Sequence, residues 1–357
     1  MPPEPQAKSD SPADTSGQRR SRASGRVTLS DVAEAAGVSA MTVSRALRGE
    51  RRVAPALVEK VREVAASLGY VPDLAARALA SQKSTQVLVL IPMLSNTLFV
   101  DLLEAAHKVL FAHGYHMLIG VTHYDPQEEE QLLRAYLPMR PAGLLLTGFD
   151  HSEAAQQLLA ANPVPRVHLM ELREQAVAAD SYCVGFSQTA AGAEMTQHLL
   201  DKGYRRIAFC GAQLDARVMQ RLQGYRRVLK QAGLYEPGLE MLNPERSSLA
   251  LGARQFQALI KADPAVDAIF FCNDDIAQGA VLEAARMGIR VPQQVAIAGF
   301  NDLPGSDQMV PPLTTIHTPR DEVGQRAAQM LLQLLEGKPV QEPRVDLGFR
   351  LIPRAST

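Results

Sequence analysis

Apolar residues recur at helical spacing near the start of the chain, between Val27 and Tyr70. A first amphipathic segment ends at Gly37, which supplies the turn before a second, and Gly69 ends a third. The inner faces of the first two segments consist of small and branched side chains: Leu29, Val32, Ala33 and Ala36, then Val43 and Leu47. The pattern predicts three short helices, of which the first two form a helix-turn-helix.

After Thr85 the pattern changes to apolar strands that alternate with helical stretches. Seven segments have the composition of buried strands: QVLVLIP, HMLIGV, AGLLLTG, RVHLM, RIAFCG, AIFFCN and VAIAGF. This alternation indicates an α/β fold with helices on both faces of parallel sheets, and the number of strands favours two lobes with a cleft between them. In this architecture ligands bind at the carboxyl ends of the strands.

The segments outside these two patterns predict a tail at each end and a linker. Residues 1–26 are rich in Pro, Ser, Ala and Gln and end in four arginines, which predicts a disordered basic tail. It is either a solubilising leader or an arm that contacts phosphates. Residues 71–84 contain Val71-Pro72, which disfavours helix at the valine, and then an Ala-rich stretch, so they predict a linker able to become a short helix. The predicted units are a head at 27–70, this linker, a sensor at 85–345 and a C-terminal tail at 346–357.

Composition and charge are those of a soluble globular protein, with 46% hydrophobic and 21% charged residues. No apolar run approaches the roughly 20 residues of a membrane span, and the first residues lack the apolar core of a secretory signal. We therefore expect a cytoplasmic protein without a membrane partner. The net charge of −1 is unevenly spread, since residues 17–84 carry 12 lysines and arginines against 6 acidic residues. A polyanion would meet the N-terminal end of the chain.

The sequence does not favour catalysis or metal binding. Cys183, Cys210 and Cys272 lie far apart and outside zinc-binding spacings, which favours small buried side chains. Asp274 and Asp275 follow a predicted strand, but neighbours on a strand point to opposite faces and no third ligand has suitable spacing. The motifs GxGxxG, GxxxxGK[ST] and HExxH are absent. We therefore expect neither an enzyme, nor a metal, nor a cofactor.

The second predicted helix has the properties of a DNA-recognition helix. Ser30 and Ser39 are placed to cap the first and second helices. Arg45 carries the donor fork that reads guanine, while Ala40 and Met41 offer apolar contact to a thymine methyl. Hydroxyl side chains suited to phosphate contacts are Thr28, Ser39, Thr42 and Ser44. The alternative, a plain three-helix bundle with a surface arginine, is disfavoured because the turn, the caps and the basic face agree.

The run VTLSDVAEAAGVSAMTVSRALRG, followed by LGYVPDLAARALA, resembles the LacI family of bacterial transcription repressors, and the resemblance continues in CNDDIAQGA, VAIAGFNDL and PPLTTIHTPRDEVG. It implies an all-α helix-turn-helix head and an α/β sensor like a two-lobed periplasmic binding protein. The chain would cross three times between lobe 1, at about 85–186 plus 317–345, and lobe 2, at about 187–316. Residues 71–84 would become helical on operator DNA, with Leu79 wedged into the minor groove. The alternative for Leu79 is an ordinary linker residue.

The same resemblance implies effector contacts at strand ends: Ser95, Phe99, Asp150, Arg217, Arg221, Ser247, Asn273 and Asn301. Arg217 and Arg221 could clamp a carboxylate while the other polar side chains bond hydroxyls, which favours a small anionic polyol. A surface salt bridge is the alternative for each arginine. Asn301 stands where the family usually has aspartate, and Ser247 where an aromatic ring often stacks on the ligand. Both departures argue for an open-chain acid and against neutral pyranosides or flat purines.

Within the family, the segments IPMLSNTLF, CGAQLDAR and VDLGFRL most resemble gluconate-operon repressors. Gluconate is therefore the first expectation for the effector, with 2-ketogluconate and 6-phosphogluconate as alternatives. We expect a nucleoid-associated homodimer, or a tetramer, that binds a pseudo-palindromic site in double-stranded operator DNA. The effector would release the regulator from DNA by changing the orientation of the lobes and separating the two hinges, which are the linkers at 71–84 of the two chains. An activator and a sugar-binding transport protein are the alternatives, and the DNA-binding head and absent signal peptide disfavour the second.

Overall fold

The computed structural model describes residues 27–47, 53–71, 84–95, 97–173 and 182–357. The chain divides into two units, residues 1–80 and 81–357, of which the first contains the head. The predicted basic tail at 1–26, Leu79 and most of the linker at 71–84 lie outside the described residues, so their roles stay predictions. Within the described residues, no helix is both long and apolar enough to cross a membrane.

The head contains three helices, α1 Leu29–Ala36, α2 Ala40–Leu47 and α3 Pro55–Ser67. One fully buried valine from each helix meets at its centre: Val32, Val43 and Val61. Gly37 has the left-handed backbone that ends α1 and lets the chain turn into α2, as the sequence predicted. Three short helices thus enclose one small apolar core.

The prediction that Ser30 caps α1 was wrong, because Thr28 occupies the capping position and the helix begins at the next residue, Leu29. The Thr28 hydroxyl accepts a hydrogen bond from the Asp31 backbone (3.4 Å), and the Asp31 carboxylate accepts one from the Thr28 backbone (2.7 Å). This reciprocal pair is a capping box, which satisfies two backbone donors that a helix start leaves unpaired. Ser30 lies inside the helix instead.

The C-terminal unit contains two parallel sheets and a short antiparallel pair. The strands are β1 Gln86–Ile91, β2 His116–Val121, β3 Gly143–Thr147, β4 Arg166–Leu169, β5 Cys183–Gly185, β6 Ile207–Ala212, β7 Glu240–Asn243, β8 Ala268–Phe271, β9 Ala296–Ala298, β10 Thr315–His317, β11 Arg344–Asp346 and β12 Arg350–Ile352. The helices are α4 Thr97–Ala112, α5 Pro126–Tyr136, α6 Glu153–Ala161, α7 Gln188–Asp201, α8 Ala216–Gln231, α9 Leu249–Ala262, α10 Asp274–Arg286 and α11 Arg320–Leu335. All seven segments predicted as strands contain one.

The first lobe is built on a six-stranded sheet of order β11-β5-β4-β3-β1-β2. Its central strand β1 is buried on both faces, with Val87, Val89 and Ile91 in one apolar cluster and Leu88 and Leu90 in another. A strand covered on both sides reads as a continuous apolar run, which is why QVLVLIP was recognisable in the sequence. Helices α4 and α11 pack against each other on this lobe.

The second lobe is built on a four-stranded sheet of order β7-β6-β8-β9, and β10 pairs with β12 beside it. The chain passes between the lobes three times: from β5 to α7, from β10 to α11 and from β11 to β12. Cys183, Cys210 and Cys272 are buried and form no disulfide, as predicted. The carboxyl ends of the strands of both sheets therefore face a shared cleft.

Residues 346–357 do not form the C-terminal tail that the sequence indicated. β12 completes the pair with β10, and the buried Ser356 hydroxyl donates to the Ile297 carbonyl (2.6 Å) while accepting from the Thr314 backbone (2.8 Å). The end of the chain is thus part of the second lobe. β12 contains three residues, two of them apolar, and this pattern was too short to be recognised in the sequence.

Asp274 and Asp275 open α10 and do not end a strand, which corrects the geometry assumed for them. The Asp274 carboxylate is fully buried and accepts from the Leu303 backbone (2.7 Å) and from the hydroxyls of Ser306 (2.9 Å) and Thr315 (2.6 Å). Asp275 accepts from the Ser247 hydroxyl. Both carboxylates hold neighbouring segments in place.

Helices α9 and α10 touch through their backbones, and this contact predicts a stability effect. A Cβ at Gly252 would overlap the carbonyl oxygen of Ile276, so Gly252→Ala requires two helices to move apart. We expect a loss of about 1 to 3 kcal/mol in the free energy of unfolding, measured by urea denaturation. Gly238→Ala is the control, because that exposed position has open space around it. Equal unfolding midpoints for the two variants would contradict the close contact.

Candidate functional site

The outward part of α2 is the candidate DNA-reading surface. Met41 is 63% exposed, and Arg45, one helical turn further along, is exposed on the same side. Ala40 is half-buried against the core of the head, so it has less surface for a base contact than the sequence indicated. Arg45 is the single charged residue of α2. It is therefore the side chain of this helix suited to charge-assisted hydrogen bonds with a base.

Hydroxyl side chains lie together at the N-terminus of α2. The Ser39 hydroxyl accepts from the Thr42 backbone (3.2 Å), as predicted for a cap, and shares a hydrogen bond with the Thr42 hydroxyl (2.9 Å). Thr28 lies at the N-terminus of α1, and its hydroxyl donates to Asp31 (2.8 Å) beside the capping box. Ser44 is half-buried within α2. The structure thus brings two of the four predicted phosphate contacts to one helix end, where backbone N–H groups favour an anion.

The candidate effector site is the cleft between the two lobes. Phe99, Arg217, Arg221, Asn273 and Asn301, which the sequence proposed for this site, all line it. The full set of lining residues comes from both lobes: Leu98, Phe99, Tyr124, Met170, Asp215, Arg217, Val218, Arg221, Asn273 and Asn301. The rule that ligands bind at the carboxyl ends of parallel strands, the strand-end rule, therefore points to this cavity.

Three predicted effector contacts lie beside the cleft or outside it. The Ser247 hydroxyl accepts from the Asn273 side chain (3.4 Å), so it lies behind the lining. Ser95 is exposed, and its hydroxyl points toward the sulfur of Met93 (3.6 Å). Asp150 is also exposed, although its charge acts on Arg217. Ser95 and Asp150 follow strands as expected, but neither lines the cavity.

Arg221 is a buried guanidinium, only 4% exposed, whose bonded partners carry no charge. It donates to the Gln188 amide (2.9 Å), the Cys272 carbonyl (2.6 Å) and the Asn273 amide (2.9 Å), and it lies 3.8 Å from the ring centre of Phe300. Burial lowers the pKa of Arg221 to about 10, so the group stays charged near neutral pH. Among the described residues no carboxylate forms an ion pair with it, and Nη2 has no acceptor. Asp215 acts on Arg221 electrostatically, but Arg221 presents positive charge and a donor group without a carboxylate bonded to it.

Arg217, one turn earlier on α8, is surrounded by carboxylates. Its Nε pairs with Asp215 (3.3 Å), which caps the helix, and its guanidinium lies over the ring of Tyr124. Burial alone would lower the pKa of Arg217, but Asp215, Tyr124, Asp150 and Glu171 together raise it above the ordinary value. The two arginines predicted as a pair thus have different surroundings. Three carboxylates act on Arg217, one of them in an ion pair, whereas Asp215 acts on Arg221 without forming an ion pair with it.

Asn273 and Asn301 form a linked pair of amides in the cleft. The Asn301 side chain donates to Asn273 Oδ1 (3.2 Å), which also accepts from Arg221. Asn301 has a φ of 107°, and its backbone is fixed by hydrogen bonds to the Ile316 carbonyl (2.8 Å) and from Arg320 (2.8 Å). Its Oδ1 is buried without a hydrogen-bond partner among the described residues. An unpaired buried acceptor in a cleft indicates that a ligand donor belongs there.

Sequence reasoning missed two polar residues that line the cleft, Tyr124 and Asp215, and three that lie beside it, Glu171, Gln188 and Gln220. Gln188 of α7 donates to the Met170 carbonyl (3.0 Å), and Gln220 of α8 donates to the Glu171 carboxylate (2.5 Å), so both hydrogen bonds join the two lobes. Burial raises the pKa of Glu171 above its ordinary value. Glu171 closely follows β4, so the strand-end rule could have found it. The glutamines lie on helices, where the sequence contains no signal that they reach across the cleft.

His168 on β4 lies behind the loop that leads to Asp150. Its Nδ1 donates to the Gly148 carbonyl (2.8 Å), and Phe149 stacks on the ring at 4.2 Å. Burial lowers the pKa of His168 to about 3 from its ordinary value of 6.5. The imidazole is therefore neutral in the native protein over most of the acid range.

This neutral histidine predicts a pH dependence of stability. Between its two pKa values the unfolded chain binds a proton that the native chain does not, so stability falls as the pH drops below 6.5. The contribution is up to about 1.4 kcal/mol per pH unit. His168→Phe removes it, so urea midpoints of the variant should vary less from about pH 7 to about pH 5 than those of the wild type. Exposed His113→Phe is the control. Parallel profiles for His168→Phe and wild type would refute the neutral imidazole.

Comparison with known proteins identifies both units. Residues 28–73 match the bacterial regulatory proteins of the lacI family, and residues 196–357 match the periplasmic binding protein-like domain. The chain is 52% identical over 343 residues to the HTH-type transcriptional regulator GntR of Pseudomonas aeruginosa, covering 96% of this chain and 99% of that protein.

Solved structures give the same result. The transcription regulator GntR from Chromobacterium violaceum is 49% identical, with a TM-score of 0.73 over 76% of this chain and 98% of that one. The lac repressor dimer bound to operator and the anti-inducer ONPF is 25% identical, with a TM-score of 0.78 over 93% of this chain and 99% of that one. With its helix-turn-helix head and its two-lobed periplasmic-binding-protein-like unit, this chain belongs to the LacI family of DNA-binding transcriptional regulators.

Proposed function

We propose that this regulator is a homodimeric repressor that a sugar acid, with gluconate as first choice, releases from a pseudo-palindromic operator. The choice of an acid rests on the hydrogen-bond partners of Arg221. Its buried guanidinium is bonded to neutral acceptors alone within the described part of the chain. Asp215 acts on this charge without an ion pair to it, and a ligand carboxylate in the cleft would supply a directly bonded counter-ion.

The surroundings of Arg217 refine the predicted clamp of two arginines. Because Asp215, Asp150 and Glu171 already act on Arg217, its positive charge is available to a ligand only in part. We assign the ligand carboxylate to Arg221 and treat Arg217 as the counter-ion of the acidic side chains. Asn273 and Asn301 supply amide groups for hydroxyls near the carboxylate.

An apolar edge of the first lobe supports the dimer. Phe111 of α4 is 57% exposed and Ile119 of β2 is 39% exposed, and the rings of His107 and His116 contact Phe111. β2 is also an edge strand of the six-stranded sheet. Exposed apolar side chains beside an open edge favour association, and we assign this surface to contact with a second copy of the chain. A dimer carries two heads, which matches the two half-sites of a palindrome.

Release requires that the effector binds one lobe orientation more tightly than the other. Residues of both lobes line the cleft, so a ligand that contacts both favours the closed arrangement. An acid with equal affinity for the DNA-competent and DNA-incompetent states would shift nothing. We propose that the closed state separates the two hinges, so that both heads no longer bind the operator at the same time.

A thermal-shift comparison of ligands tests this proposal. The ligands compared are gluconate, 2-ketogluconate and 6-phosphogluconate, with glucose as the neutral control. We expect at least gluconate to raise the unfolding temperature, since a ligand at 100 times its dissociation constant stabilises the native state by about 2.7 kcal/mol. A shift with glucose and none with the acids would overturn the assignment of an anionic effector.

A further inference from the structure

Glu171 is a buried carboxylate with one oxygen left unpaired. It follows β4 in the first lobe and is 6% exposed. Its Oε1 accepts from Gln220 of the second lobe (2.5 Å), whereas its Oε2 is buried and has no hydrogen-bond partner among the described residues. A buried acceptor left unpaired costs free energy, so such atoms usually have a ligand or water as partner.

A glycine lies against this oxygen. A Cβ at Gly148 would lie 3.0 Å from Glu171 Oε2 and 3.1 Å from Asp150 Oδ1, so any side chain there would crowd both carboxylates. The neighbouring Met170 lines the cleft, so Glu171 follows directly on a residue of the effector cavity.

Charge decides which part of a ligand fits at Glu171. Three carboxylates, Glu171, Asp150 and Asp215, act on the one guanidinium of Arg217. A second anion in this region would be repelled, whereas a hydroxyl donates to a carboxylate without adding charge. Arg221 is hydrogen-bonded to neutral groups, and of these three carboxylates Asp215 acts on it, so a ligand carboxylate fits better at Arg221 than at Glu171.

We propose that Glu171 binds a hydroxyl at the end of the effector distant from its carboxylate, while Asn301 Oδ1 accepts from a second hydroxyl. This inference rests on the proposed function, since it takes the effector to be a sugar acid. The unpaired acceptor of Glu171 lies in the first lobe and that of Asn301 in the second. The Glu171–Gln220 hydrogen bond already joins the lobes. A polyhydroxy acid that reaches both acceptors therefore spans the cleft, and a short hydroxy acid does not.

Titration calorimetry of the full-length protein with gluconate and with D-glycerate tests this assignment. Glu171→Gln keeps an acceptor for Gln220 but replaces Oε2 by a donor, which cannot accept from a hydroxyl. We expect a loss in gluconate affinity of about tenfold to a hundredfold, as for a hydrogen bond to a charged group, and no change for D-glycerate. Exposed Glu194→Gln is the matched control and should bind both acids as the wild type does.

The outcomes separate this inference from the one it rests on. Unchanged gluconate affinity in Glu171→Gln overturns the hydroxyl contact, and so does an equal loss for both acids, because that indicates a role in lobe closure alone. Wild-type protein that binds neither acid overturns gluconate as the effector and this inference with it. Urea unfolding of each variant without ligand verifies that the fold is intact.

Discussion

Arg221→Lys is expected to leave operator binding intact and to raise the sugar-acid concentration needed for release by about tenfold to a hundredfold. Lysine keeps the positive charge but lacks the planar fork, so it cannot bond the Gln188, Cys272 and Asn273 acceptors, stack on Phe300 and still face a ligand carboxylate. Fluorescence anisotropy of labelled operator DNA, titrated with gluconate, measures both properties in one experiment.

The matched control for this variant lies on the same helix. Arg227 of α8 is exposed, so Arg227→Lys makes the same chemical change away from the cleft and should respond to gluconate as the wild type does. If Arg221→Lys is released at the wild-type concentration, the carboxylate does not bind at Arg221. If Arg221→Lys no longer binds operator without any acid, Arg221 supports the DNA-competent fold and does not read the effector.

Arg45→Ala is expected to remove most of the preference for operator over arbitrary DNA. A bidentate contact between arginine and guanine is worth about 1 to 3 kcal/mol of discrimination, and a dimer makes the contact in each of two half-sites. Half-buried Ala40 and apolar Met41 cannot replace it by hydrogen bonding. Weak binding that depends on salt should remain, because phosphate contacts elsewhere persist.

Operator sequences selected from a random DNA pool, compared with a scrambled duplex at several salt concentrations, measure this loss. Arg62→Ala removes an exposed arginine from α3 and serves as the control for a general loss of positive charge. Both variants lose the same charge, so a difference between them isolates base reading. An Arg45→Ala protein with wild-type preference for operator would refute the assignment of α2.

The predicted fold differs from the structure where the sequence pattern is short. Segments such as QVLVLIP and RIAFCG lie in central strands, and their buried apolar runs were sufficient to identify them. β5 and β12 contain three residues each and were missed, whereas the equally short β9 was identified because it lies in the buried run VAIAGF. The capping of α1 by Thr28 was missed because both Thr28 and Ser30 shortly precede Asp31. Only the backbone conformation shows which of the two residues caps the helix.

The site was predictable as far as the strand-end rule applies. Arg221, Asn273 and Asn301 were placed correctly beside the cleft, since the family resemblance supplied their positions and parallel sheets bring strand ends together. The different electrostatic surroundings of Arg217 and Arg221 depend on which carboxylates fold next to each, and spacing along α8 contains no such information. Glu171 and Gln220 meet across the lobes from positions 49 residues apart, which a single sequence cannot show.

Control by a sugar acid is tested most directly by titrating the complex of wild-type protein and operator DNA with gluconate, 2-ketogluconate and 6-phosphogluconate, followed by anisotropy and by the stoichiometry of the complex. We expect two chains per operator and dissociation of the complex by at least one of these acids, with no effect of glucose. A complex that persists at saturating concentrations of all three acids, or that glucose dissociates equally well, would contradict control of this regulator by a sugar acid in the cleft.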